Sequence, residues 1–216
     1  MFKQYRRLKN EFIVVGGDTA AGGLDYSALQ FLSATNLDVP LVYYSKKMAS
    51  EMTNELFPVL NKIFEETGYR PVVAYERQNG GLFEMERLAS LNRANKFEVF
   101  KMPSFGRTEA PEAVRYGWDT NTATRPKMLS DLKDAVDKKL ITIYDKETVN
   151  EMFAFVVMQT SSSWKAQAES GAHDDLIMAL AIAWQLYQIC PKPSQVGIEQ
   201  EAQRVVRQRQ NEPYFE

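Results

Sequence analysis

The chain has 216 residues, 44% of them hydrophobic and 25% charged, with a formal net charge of −2. This is the composition of a globular protein able to bury one large core or two small ones, and its near-neutral charge argues against coating nucleic acid by bulk attraction while leaving room for a local basic groove. A single Cys (Cys190) and a single His (His173) exclude an internal disulfide and a zinc cluster built within one chain, and fit a reducing compartment; a hard cation held by carboxylates stays open. No apolar run approaches the roughly 18 residues of a membrane span, and the basic segment Met1 to Asn10 lacks the apolar core of a signal peptide.

Phe12 to Asp18 reads as a buried strand ending in an acid, followed by a turn at Gly22 and Gly23. Tyr26 to Ser33 alternates like a half-buried strand, and Val39 to Ser45 follows a turn marked by Asn36, Asp38 and Pro40, so these three runs predict an antiparallel meander. Met52, Leu56, Leu60 and Ile63 give Ser50 to Thr67 a helical period, with Gly68 as its stop and Pro58 as an expected kink or break. Arg70 to Glu76 is a short strand, again ending in an acid, and Leu82 to Asn92 a helix. Phe97 to Met102 is a further strand candidate, and Phe105 to Thr124 is a loop or hairpin in which Trp118 is expected as a core anchor.

Arg125 to Lys138 reads as a helix with Pro126 in its first turn, Leu140 to Tyr144 as a strand and Lys146 to Phe153 as a short helix. A hairpin is expected from Phe153 to Met158 and Trp164 to Ala168 around Ser161–Ser163. Leu176, Ile177, Leu180, Ala183, Trp184 and Tyr187 then mark one apolar face of a long helix, with Ala179 and Ala181 keeping it slim enough to lie against a sheet. After Cys190-Pro-Lys-Pro-Ser194 the charged, Gln-rich remainder is expected to be a tail, partly helical or disordered, giving a domain over 1–190 and a tail over 191–216.

One arrangement recurs. Asp18 ends the first strand, Glu76 ends a later one, and Asp174-Asp175 opens the long helix. An Asp at a helix start serves as a cap and suits the helix dipole, but a cap uses one Asp, and adjacent like charges repel. If the two strands are neighbours and the helix crosses them, three or four carboxylates converge, an arrangement that calls for cations. Two Mg²⁺ or Mn²⁺ ions there would suit in-line phosphoryl displacement. Local roles remain alternatives: Asp18 supporting its turn, Glu76 pairing with Arg77.

Phe12 to Ser33 with Asp18, Tyr75-Glu-Arg-Gln-Asn-Gly-Gly81, Gly117-Trp-Asp-Thr-Asn-Thr-Ala-Thr-Arg-Pro-Lys-Met128 and Gly171-Ala-His-Asp-Asp175 together resemble the nuclease domain of the large terminase subunit of tailed double-stranded DNA bacteriophages. The resemblance spans roughly Phe12 to Tyr187. It implies a ribonuclease-H-like α/β fold, with a mixed central sheet, antiparallel first strands and flanking helices, as in Holliday-junction resolvases. It also implies metal-dependent endonuclease action on double-stranded, concatemeric phage DNA during genome packaging, in the cytoplasm of the infected host. Asp18, Glu76, Asp174 and Asp175 are then the catalytic, metal-binding set, and two ions of Mg²⁺ or Mn²⁺ the cofactor. Asp175 is preferred as the direct ligand, because it precedes Ala179-Leu180-Ala181 as an acid precedes the Ala-Leu-Ala of the resolvases' last helix.

In the full-length family the partners would be an ATPase domain, the portal and the small terminase subunit. No Gly-x-x-x-x-Gly-Lys-[Ser/Thr] loop occurs in this chain, so the expectation is the nuclease domain alone. Arg77, Arg107, Arg125 and Lys127 stand in or beside polar segments as candidate contacts to DNA phosphates. His173 stands either to orient an Asp or the attacking water, or to start the helix. Two rivals remain: half of an actin-like or sugar-kinase-like phosphotransferase, suggested by Gly16-Gly-Asp-Thr, and a non-catalytic DNA-binding module.

Overall fold

A computed structural model describes residues 1–20, 25–103, 114–159, 164–168 and 173–192. The run Ile-Val-Val-Gly-Gly-Asp forms β2 (Ile13–Asp18), buried along its whole length. It pairs antiparallel with β3 (Ser27–Ser33), which pairs antiparallel with β4 (Asp38–Ser45), so the meander is as expected. Strand β3 is buried on both faces rather than half-buried, because helices cover the sheet on either side. On the other edge of β2, β5 (Val72–Tyr75) runs parallel, followed by β6 (Glu98–Val99), also parallel. The basic N-terminal segment contributes β1 (Phe2–Gln4), an edge strand against β4 that composition did not suggest. The sheet order is β1-β4-β3-β2-β5-β6, and β9 (Thr142–Ile143) joins parallel to β4.

One face of the sheet packs on α1 (Ala49–Thr67) and α2 (Gly81–Leu91), with Ile13, Val15, Leu56, Leu60, Tyr75 and Met85 among the buried side chains. Helix α1 starts after Met48, continues through Pro58 and ends at Gly68, which takes the left-handed conformation (φ 77°) of a helix stop. The other face carries α5 (Asp175–Ile189), with α3 (Thr124–Asp137) and α4 (Lys146–Ala154) beside it.

Sequence periodicity assigned α5 a single apolar face, but every residue from Leu176 to Leu186 is buried. The helix lies between the sheet and its two neighbours, so it has no solvent side over that length. Its approach to the sheet is set by Gly16: a Cβ there would come within 2.0 Å of the Ala179 carbonyl oxygen and 2.4 Å of the Ala183 nitrogen. Strand β2 can therefore sit directly under the helix backbone only with glycine at that position. The glycines that suggested a phosphate hairpin are thus used in packing.

Phe97 to Met102 divides into β6 and β7 (Lys101–Pro103), and β7 pairs antiparallel with β8 (Val114–Tyr116). Strands β10 (Phe155–Gln159) and β11 (Trp164–Ala168) form the second expected hairpin. Trp118 is buried in the α5-side core and stacks on Phe100, with ring centroids 6.1 Å apart, the anchoring role expected of it. The Gly22-Gly23 turn, the Ser161–Ser163 tip, Arg107 and residues from 193 onward lie outside the described residues.

Candidate metal centre

Strand register brings the first two acids together. In the parallel β2–β5 pair Gly16 lies opposite Ala74 and Gly17 opposite Tyr75, so Asp18 and Glu76 leave the same sheet end one residue further on. The Glu76 N–H donates to the Gly17 carbonyl at 2.8 Å, extending that pairing. Residues alternate faces along a strand. Asp18 therefore shares the face of Gly16, and Glu76 that of Ala74, the face on which α5 lies. The backbone around Glu76 is fixed by close approach: a Cβ at Gly81 would fall 1.8 Å from the Glu76 carbonyl oxygen. Helix α5 begins at that same end of the sheet, delivering Asp174 and Asp175.

These four acids line one cleft of about 1160 Å³, together with Asp25, Thr19, Gln78, Asn121 and Arg125. Asp18 and Glu76 are both 8% exposed. Burial pushes the Asp18 carboxyl well above its ordinary range, and Glu76, Asp175 and Asp174 push it further in the same direction. Asp175 is raised to about 6, chiefly by burial, with Asp174 and Asp25 adding to the rise and His173 opposing it. Its Oδ2 is buried and has no hydrogen-bond partner among the described residues, the His173 Nδ1 standing 3.6 Å away. His173 itself is partly exposed and sets its ring edge-on to Tyr26.

Neither Asp of the pair caps α5 with its side chain. Asp174 occupies the cap position without a capping bond, and its carboxylate instead receives the Arg125 guanidinium at 2.7 Å. The cap comes from α4: Glu151 Oε2 accepts the N–H groups of Leu176 at 2.9 Å and Ile177 at 3.3 Å. Burial, with the Asp175 charge adding to it, raises Glu151 to about 8 against those two bonds.

Sequence reasoning missed Glu151 because it acts across 25 residues with no spacing to mark it. It also missed Asp25, for which a signal existed. In a β2–β3 hairpin, a residue just before β3 returns to the sheet end where Asp18 lies.

The basic candidates differ in what they face. Arg77 is spent within the fold, donating to the carbonyls of Tyr116 at 3.0 Å, Met102 at 2.8 Å and Arg115 at 2.7 Å. Lys127 is exposed outside the cleft and pairs with Asp131 one turn along α3. Arg125 lines the cleft beside the acids.

Among the described residues, no group of three or more His, Cys, Asp or Glu side chains is already set around one metal position. The donor set nonetheless suits a hard cation: carboxylate oxygens, one of them buried without a partner among the described residues, with Asp18 and Asp175 raised in proton affinity by burial and by neighbouring negative charge.

No protein-family model matches the sequence, and no curated protein matches it. Solved structures do. The large terminase nuclease of thermophilic phage G20c superposes with a TM-score of 0.59, at 19% identity, over 86% of each chain. The fold is that of the large terminase nucleases. The same phage's nuclease with bound magnesium gives a TM-score of 0.60 at 18% identity, over 85% of this chain and 84% of that one. The manganese-soaked nuclease domain of human cytomegalovirus terminase gives 0.51 at 10% identity, over 81% and 83%. The large terminase of another thermophilic bacteriophage matches 83% of this chain with 41% of its own, with a TM-score of 0.53 at 13% identity. This is the ribonuclease-H-like fold, here with three antiparallel strands continued by parallel ones.

Proposed function

We propose that this chain is the nuclease domain of a large terminase subunit, over residues 1–190, a divalent-metal-dependent endonuclease that cuts double-stranded phage DNA during packaging. The observation that carries the reading is the meeting of Asp18, Glu76, Asp174 and Asp175 in one cleft, with a buried carboxylate oxygen on Asp175 that has no partner among the described residues. Its support is the likeness in fold to terminase nucleases, one solved with magnesium and another soaked with manganese.

Asp18, Glu76 and Asp175 would hold Mg²⁺ or Mn²⁺, with Asp174 completing the set once released from Arg125. Two ions are proposed. Among the described residues six carboxylates line the cleft, Asp25 and Asp137 included, with two cations, Arg125 and Lys133, so four negative charges are uncompensated when all are ionised. Bound divalent cations would activate water and stabilise the leaving oxygen of the phosphodiester.

The chain's own residues do the rest. The two strand ends fix Asp18 and Glu76, the helix start presents Asp175, and Arg125, freed from Asp174, would hold a DNA phosphate. Since metal and protons compete for the same oxygens, Asp18 and Asp175, which burial makes retain protons, would have to give them up to hold a cation. In the infected bacterium the domain would work beside an ATPase domain, the portal and the small subunit. No described helix is long and apolar enough to cross a membrane. Supercoiled plasmid incubated with the protein tests the reading: nicked and linear forms should accumulate with Mg²⁺ or Mn²⁺ and not in chelator, whatever the ATP concentration. Cutting that persists in excess chelator would overturn it.

A further inference from the structure

We propose that Glu151 is a positioning residue of this metal centre, capping α5 from another helix so that Asp174 and Asp175 need not cap it and stay turned into the cleft; the inference rests on the reading above. A helix N-terminus has unsatisfied N–H groups, and a side chain at the cap position ordinarily accepts those of the second and third helical residues. In α5 these are Leu176 and Ile177, and both donate to Glu151 Oε2, at 2.9 and 3.3 Å. If Asp174 folded back to cap its own helix, its carboxylate would turn from the cleft.

The support behind Glu151 is built in layers. Asp145 Oδ2 accepts the Thr148 N–H and hydroxyl, both at 2.8 Å, fixing the first turn of α4. The Tyr5 hydroxyl donates to the other Asp145 oxygen at 2.5 Å. Thr148, one turn before Glu151 on the same helix face, is fully buried and receives the Gln30 side-chain amide at 2.8 Å; that amide also reaches the Leu176 carbonyl at 3.3 Å. Strand β3, helix α4 and the first turn of α5 are thereby locked together, and Glu151 is aimed at the two amides next to Asp175. A cluster assembled only to stabilise the helix would need no acid from elsewhere, since Asp174 already stands at the cap position.

The test compares the parent with Glu151→Gln, which keeps an acceptor oxygen, and Glu151→Ala, which removes it. Mn²⁺ binding is followed by calorimetry without DNA, and amide exchange at Leu176 and Ile177 by NMR. Glu151→Ala should speed exchange of both amides about tenfold and weaken Mn²⁺ binding by roughly 10- to 100-fold, the range for groups that orient metal ligands. Excess Mn²⁺ should then restore its cleavage. Glu151→Gln should stay within about threefold of the parent on every reading. If Glu151→Ala does not fold, Glu151→Asp, one methylene shorter, takes its place with the same expectations. Fast-exchanging amides with parental Mn²⁺ affinity would overturn the positioning role alone, as would a Glu151→Gln variant as impaired as the alanine. A parent that binds no Mn²⁺ would overturn the metal centre itself, and this proposal with it.

Discussion

Replacing Asp175 by Asn should make the metal-free protein more stable. The carboxyl of Asp175 is held at about 6 in the folded chain against an ordinary value of 3.8, with burial the main cause. At about 1.4 kcal/mol per unit, ionising it inside the fold costs about 3 kcal/mol relative to the unfolded chain. An amide avoids that cost but leaves a buried polar group where Oδ2 lacks a partner among the described residues, which returns about 1–2 kcal/mol.

The expected net gain is about 1–2 kcal/mol at pH 8, a rise in melting temperature of roughly 2–8 °C for a domain of this size. It should shrink as pH falls toward about 4, where the unfolded carboxyl also begins to take up its proton, and grow as pH rises to about 6, levelling off above it. Added Mn²⁺ should reverse the order. A cation present at a hundredfold its dissociation constant stabilises the parent by about 2.7 kcal/mol and does far less for a variant lacking a ligand. Thermal melts of the two proteins, in chelator and in Mn²⁺, at pH 4.5 and 8, measure all of this. An Asn variant that melts below the parent in chelator at pH 8, with a parent indifferent to Mn²⁺, would refute the reasoning.

Other outcomes follow from the same geometry. Metal-free parent protein should lose stability steadily between about pH 4.5 and 8, because Asp18, Asp175 and Glu151 all bind protons more tightly folded than unfolded; saturating Mn²⁺ should flatten the curve, as pH-dependent denaturation would show. Asp18→Asn and Glu76→Gln should each remove most plasmid cleavage while leaving the protein folded and able to bind duplex DNA in a gel-shift assay. Arg125→Gln should weaken DNA binding and reduce the log–log salt slope by about one, whereas Lys127→Gln, whose side chain stands outside the cleft, should leave both unchanged. Gly16→Ala should cost about 1–3 kcal/mol in chemical denaturation by forcing α5 off the sheet, because its Cβ meets helix backbone rather than a side chain that could move.

The sequence made four of the acids visible because they sit where local pattern is strongest, at the ends of apolar strands and the start of an apolar helix. Their convergence also depended on pairing between β2 and β5, which lie far apart in the chain, and local periodicity carries no information about such partners. The all-round burial of α5 escaped notice for a related reason. A helix rich in Ala and Leu reads as one-faced until its neighbours are known, and α3 and α4 covered what periodicity left open. The same limit applied to the cap. Asp174 occupies the expected position, yet its bond goes to Arg125 and the capping oxygen arrives on Glu151 from another helix. Strand β1 was missed because three residues of an edge strand need no apolar alternation to pair.

Whether the acids hold cations can be seen in diffraction from crystals soaked in Mn²⁺, with the anomalous signal locating the ions. Density is expected between Asp18, Glu76 and Asp175, with carboxylate oxygens roughly 2.0–2.3 Å away and the Arg125–Asp174 bond opened. Ions bound elsewhere, or none in this cleft at millimolar Mn²⁺, would contradict the metal centre.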